Sequence, residues 1–160
     1  MFPYELVELT DGENAVRITV RSAESAELWE AEITVQSMFV TGSALLMLYP
    51  SKLQEWAKAL DRLAAGEDAT WMESGNGPTV RIRLDGGYDC PEAEVEDESS
   101  SMVTVRVPIA LEGDWVADHR TRLARFVEEA GTLGAGDGLV GRPGRDGPRG
   151  FSVTSGRRPS

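Results

Sequence analysis

The sequence predicts an α+β fold: a mainly antiparallel curved sheet or open sandwich of about eight strands, with one central and one C-terminal helix. Three observations carry this. Apolar and polar residues alternate over much of the chain, which is the period of a half-buried strand. Two stretches, near residues 51–65 and 114–130, switch to helical spacing. The strand-like runs also follow one another through short turns, which join antiparallel neighbours but cannot join parallel ones.

Tyr4-Thr10 is a short apolar-rich run closed by Asp11-Gly12, a turn dipeptide, and Val16-Ile18-Val20 then alternates with Arg17-Thr19-Arg21, so the two form a hairpin. Trp29, Ala31, Ile33 and Val35 continue the alternation, with Glu30, Glu32, Thr34 and Gln36 on the opposite face. Thr41-Gly42-Ser43 supplies the next expected turn. Ala44-Tyr49 is apolar on both alternations, which predicts a strand covered on both faces at the centre of the fold. Ser51, with Gln54 at capping-box spacing, opens a helix in which Leu53, Trp56, Ala57, Leu60, Leu63 and Ala64 recur at helical spacing, placing Lys52, Glu55, Lys58 and Asp61 largely outside; Gly66 suits its C-terminal turn. Strands follow at Ala69-Glu73, Thr79-Leu84, Ala93-Glu96 and Met102-Ala110, the last with Val103, Val105, Val107 and Ile109 inward and Pro108 marking an edge. Gly75-Asn76-Gly77-Pro78 and Gly86-Gly87 are turns without phosphate-loop spacing. Asp114 caps a last helix with Trp115, His119, Leu123, Phe126 and Ala130 near one face.

The 160 residues carry 16 Lys+Arg and 27 Asp+Glu, a formal charge of −11. The last thirty residues hold five arginines, two acids, nine glycines and three prolines, which leaves residues 1–130 with 11 basic and 25 acidic side chains and a net charge of −14. We read residues 1–130 as one globular domain and 131–160 as a disordered Gly/Pro/Arg-rich tail. So acidic a body repels phosphate backbones and anionic headgroups, which excludes nucleic acid and membranes as its direct partners. One cysteine makes no internal disulfide, no apolar run approaches a membrane span, and the N-terminus lacks a secretory signal; the sequence reads as cytoplasmic.

No catalytic motif stands out and no cofactor is implied. Cys90, in a Gly-rich loop, and His119, the single imidazole, are the candidate nucleophile and base of a small cysteine-dependent hydrolase or transferase, and the structural alternative is a half-buried thiol and a packed histidine. One Cys and one His do not complete a zinc site. The densest acidic stretch is Asp85, Asp89, Glu92, Glu94, Glu96, Asp97 and Glu98; it lacks EF-hand spacing, and Glu92, Glu94 and Glu96, alternating with Ala93 and Val95, are expected on an exposed strand face, paired laterally with Arg81, Arg83 or Arg106. The four tryptophans fall on core-pattern positions.

The run Leu46-Met47-Leu48-Tyr49-Pro50-Ser51-Lys52-Leu53-Gln54-Glu55-Trp56, the following Ala65-Gly66-Glu67-Asp68-Ala69-Thr70-Trp71, and the strands Thr79-Leu84 and Ser101-Pro108 together resemble a family of small, acidic, uncharacterised proteins of high-GC actinobacteria. More distantly they are similar to immunity proteins of bacterial polymorphic toxin systems. The resemblance covers most of residues 4–130 and implies no assigned activity, hence no catalytic residues. The leading expectation is a non-enzymatic protein-binding module of immunity or regulatory type that meets a basic protein through exposed Glu92, Glu94, Glu96, Asp97 and Glu98. A small-ligand-binding sheet is a further alternative, and oligomeric state is open.

Overall fold

The described residues build two antiparallel four-stranded sheets, each in simple chain order. The computed structural model describes residues 1–73 and 77–137. The first sheet contains β1 (Tyr4–Thr10), β2 (Ala15–Ser25), β3 (Leu28–Gln36) and β4 (Thr41–Leu48). Helix α1 (Pro50–Ala64) carries the chain to the second sheet, made of β5 (Ala69–Trp71), β6 (Thr79–Arg83), β7 (Glu92–Glu96) and β8 (Thr104–Pro108), after which comes α2 (Trp115–Asp137). Among the described residues, eight strands with one central and one C-terminal helix make the fold α+β, as the alternation and the turns predict. Helix α2 runs seven residues into the segment read as tail; residues 138–160 lie outside the described residues, as do Gly75 and Asn76 of one predicted turn.

One apolar cluster joins both sheets and both helices. On the first sheet it takes Val16, Ile18, Val20, Trp29, Ala31, Ile33, Leu46 and Leu48; on the second, Trp71, Val80, Ile82, Ala93, Val95 and Val107; from the helices, Trp56, Leu60, Leu123 and Phe126. Aromatic rings tie the layers: Trp56 stacks on Trp71 at 4.7 Å, and Phe126 of α2 meets Trp29 edge-on at 5.4 Å. Trp71 Nε1–H donates to the Lys52 carbonyl at 2.8 Å, whereas the buried Trp56 Nε1 has no acceptor among the described residues. The β1–β2 turn stitches one sheet to the other: Asp11 Oδ1 accepts the amides of Glu13 and Asn14, its Oδ2 accepts the amide of Ala110, and Asn14 Nδ2 donates to the Pro108 carbonyl. Gly12 sits in that turn at φ +93°, a conformation that costs glycine nothing.

Four local expectations are corrected. β4 is an edge strand, not the centre: Ala44, Leu46 and Leu48 face the core, while Leu45 is 64% exposed and Met47 lies opposite Glu30 on an uncovered face. An all-apolar run does not distinguish burial on two faces from burial on one with apolar side chains left outside. Thr41-Gly42-Ser43 belongs to β4, and the turn lies earlier, where Ser37 Oγ accepts the amides of Phe39 and Val40. Helix α1 starts at Pro50, whose ring presets the helical φ and whose missing N–H is one the first turn does not use, so Ser51 is already inside the helix and makes no cap. Lys52 is buried rather than outward, with its ammonium 3.2 Å from Glu55 and over the Tyr49 ring. Asp114 caps α2 as expected, accepting the Ala117 amide at 3.1 Å.

Candidate functional site

The acidic stretch divides where its strand ends. β7 is an interior strand, and Ala93 and Val95 enter the core, so Glu92, Glu94 and Glu96 share the opposite face with Arg81 and Arg83 of β6 and Arg106 of β8. The lateral pairing expected from sequence is present. Arg106 bridges Glu92 (3.1 Å) and Glu94 (2.9 Å), and Arg81 bridges Glu94 (2.8 Å) and Glu96 (2.7 Å). The expected exposure is corrected: Glu92 and Glu94 are buried, because long guanidinium side chains from both neighbouring strands lie across them. Hydrogen bonds from Arg106 and then Arg81 hold the Glu94 carboxyl below its usual range. These carboxylates are spoken for by the fold and do not form a free acidic surface.

Asp97 and Glu98 lie past the strand, in the β7–β8 turn. Asp97 organises that turn: its carboxylate accepts from the Ser101 amide (3.0 Å) and hydroxyl (2.7 Å), its own amide donates to the Val103 carbonyl, and its carbonyl accepts from Met102. Glu98 is exposed.

Cys90 and His119 are not brought together as a dyad. Cys90 is half-buried in the loop before β7, where its carbonyl accepts the Gly86 amide. His119 is fully buried in α2, with Nε2 accepting the Glu8 amide at 3.0 Å and Nδ1 lying 2.6 Å from the Trp115 carbonyl. That pair of partners fixes the neutral tautomer with its proton on Nδ1, and burial pushes the imidazole below its ordinary pKa. Both ring nitrogens are occupied, Nε2 in binding α2 to β1 and Nδ1 by the first turn of α2 itself. Among the described residues no three His, Cys, Asp or Glu side chains are grouped to hold a metal ion.

The residues that sequence reasoning missed stand at one end of the molecule. In the β3–β4 turn Met38 and Phe39 are each 96% exposed, and in the β7–β8 turn Met102 is 79% and Val103 53% exposed. Val103 was expected inward; strand β8 starts one residue later, after Met102 turns the chain at φ +61°. The bases of these two turns border one apolar crevice of about 130 Å³, lined by Ile33, Val35, Val40, Gly42, Ser43, Ala44, Pro78, Val95, Asp97, Ser101, Val103 and Val105. Asp97 is the single charged group in that lining. The available signal was a Met-Phe pair next to Ser37, which breaks the alternation at the point where a serine-stabilised turn belongs.

The model of a family of unknown function, DUF5959, matches residues 4–131. The chain belongs to this family. The DUF5959 segment thus contains both sheets, both exposed turns, the crevice and most of α2. It ends inside α2, six residues before that helix does. No curated protein and no solved structure matches the chain. No described helix is long and apolar enough to cross a membrane.

Proposed function

We propose that this chain is a non-enzymatic, cytoplasmic protein-binding module of immunity or regulatory type, and that its partner is a basic protein docked at the end formed by the β3–β4 and β7–β8 turns. The observation that carries this reading is the placement of four exposed apolar side chains, Met38, Phe39, Met102 and Val103, at the turns bordering a crevice whose one charged lining residue is acidic. Exposed apolar clusters with a polar rim are characteristic of protein interfaces, and methionine and aromatic residues are favoured in them. The −14 charge of residues 1–130 supplies long-range steering toward a cationic surface. Asp97 and Glu98, which follow the arginine ladder in the β7–β8 turn, give that attraction a local anchor. The more distant resemblance to toxin-immunity proteins is in keeping with a protein partner, while the resemblance to small acidic actinobacterial proteins carries no assigned activity.

The test is affinity capture from the native host with the full chain and with a Met38→Ser, Phe39→Ser double variant, at low and high salt, after circular dichroism has shown both proteins folded. A stoichiometric basic protein should be held by the parent chain at low salt and lost in the variant or at high salt. A partner retained equally by the variant, or no partner under either condition, would sink the reading.

A further inference from the structure

The crevice has a simple cause in the sequence. Along the inward face of β4 the side chains shrink toward the turn: Leu48, Leu46, Ala44, Gly42. Gly42 pairs with the inward Val35, so its missing side chain belongs to the layer between the sheets, and a Cβ placed there would meet no atom within 4 Å. Its backbone is not in the left-handed region, so no turn geometry demands glycine there. The apolar layer between the sheets is therefore filled at the α1 end and left open at the turn end.

We propose that this wedge receives one leucine- or isoleucine-sized side chain from the partner, flanked in the partner's sequence by lysine or arginine. The inference rests on the binding reading above and specifies how that partner is held. An apolar cavity of about 150 Å³ accepts a guest the size of benzene. The crevice, at about 130 Å³, matches a branched aliphatic group, and its walls Val35, Val40, Ala44, Val95, Val103 and Val105 offer only hydrocarbon to it. At the crevice, Asp97 accepts hydrogen bonds through one carboxylate oxygen, Oδ2, and its other oxygen has no donor among the described residues, with exposed Glu98 next to it in the chain. Cationic neighbours of the aliphatic anchor meet complementary charge there, while an acidic segment is repelled.

The test uses the full chain, labelled with ¹⁵N and with ¹³C at methyl groups, titrated with the capped pentapeptides Lys-Lys-Leu-Lys-Lys, Lys-Lys-Ala-Lys-Lys and Lys-Lys-Phe-Lys-Lys. The leucine peptide should shift the signals of Val35, Val40, Val95 and Val103 and bind about tenfold or more tightly than the alanine peptide. Gly42→Val puts the protein's own methyl groups into the wedge and should abolish that preference; Gly42→Ala, a milder change, should reduce it, and thermal melts establish that each variant is folded. Equal binding of the leucine and alanine peptides, tighter binding of the phenylalanine peptide, or a preference unchanged by Gly42→Val would overturn the proposal. So would a parent chain that sediments as a dimer where Gly42→Val is monomeric, since the occupant is then a second copy. A partner captured equally by the parent and by Gly42→Val overturns the wedge while leaving the wider binding reading standing; loss of all capture by the parent overturns that reading itself.

Discussion

His119 links helix α2 to strand β1 only while it is neutral, because Nε2 must accept the Glu8 amide. Burial is the main cause of its lowered pKa; Arg122 lowers it further, while the Trp115 carbonyl, Asp118 and Glu8 act in the opposite direction. An unfolded chain protonates the imidazole near its ordinary value, about 6.5. Below that pH the unfolded state binds a proton that the folded state refuses, so stability falls with falling pH until the native pKa is reached. We expect urea midpoints to drop between about pH 7.5 and 5.5, with a slope from this residue of at most about 1.4 kcal/mol per pH unit. In His119→Asn the slope over that range should flatten even though the variant is weaker at every pH. Glu5, whose carboxyl is pushed up by burial and by Glu8, opposes this trend only as it takes up its own proton at lower pH. From the sequence His119 was readable as a helix-face residue, but its partners were not, since a hydrogen bond across 111 residues leaves no local pattern.

At the scale of elements, period and turn chemistry placed every strand and both helices, and the errors fell where a pattern has two physical meanings. The run Ala44-Tyr49 could bury two faces or one. Glu92, Glu94 and Glu96 could face water or lie beneath arginines, and only register decides, by setting Arg81 and Arg106 directly across from Glu94. This ladder gives a comparison within one acidic stretch. Glu94→Ala strips two guanidinium groups of their shared acceptor and should lower stability by about 1–2 kcal/mol, less than a fully buried pair would cost because Arg81 and Arg106 keep one-third and half of their exposure. Glu98→Ala, four residues on and in the turn, should change it by less than about 0.5 kcal/mol. Paired urea denaturation curves check both values, and equal effects would contradict the ladder as a structural unit.

At the scale of the molecule, two sheets that share no hydrogen-bonded strand among the described residues are held by one shared apolar cluster and by the Asp11–Asn14 stitch to residues 108–110. A sheet without its half of that cluster exposes an apolar face, so neither half is stable alone. Tryptophan fluorescence and far-ultraviolet circular dichroism should therefore report a single coincident melting transition, and two separated transitions would show that the sheets are independent units. The layering was implicit in the two strand groups flanking the Ser51 helix; the apolar end was not, because exposed Met38 and Phe39 obey no rule of burial. Their exposure also has a chemical side. A thioether in water is open to peroxide, and the sulfoxide it becomes is polar. Met38 and Met102, at 96% and 79% exposure, should oxidise before Met72, which is 3% exposed in the core. Mass spectrometry after mild peroxide treatment would record that order, and the turn end would pass from apolar to polar while the fold stays whole.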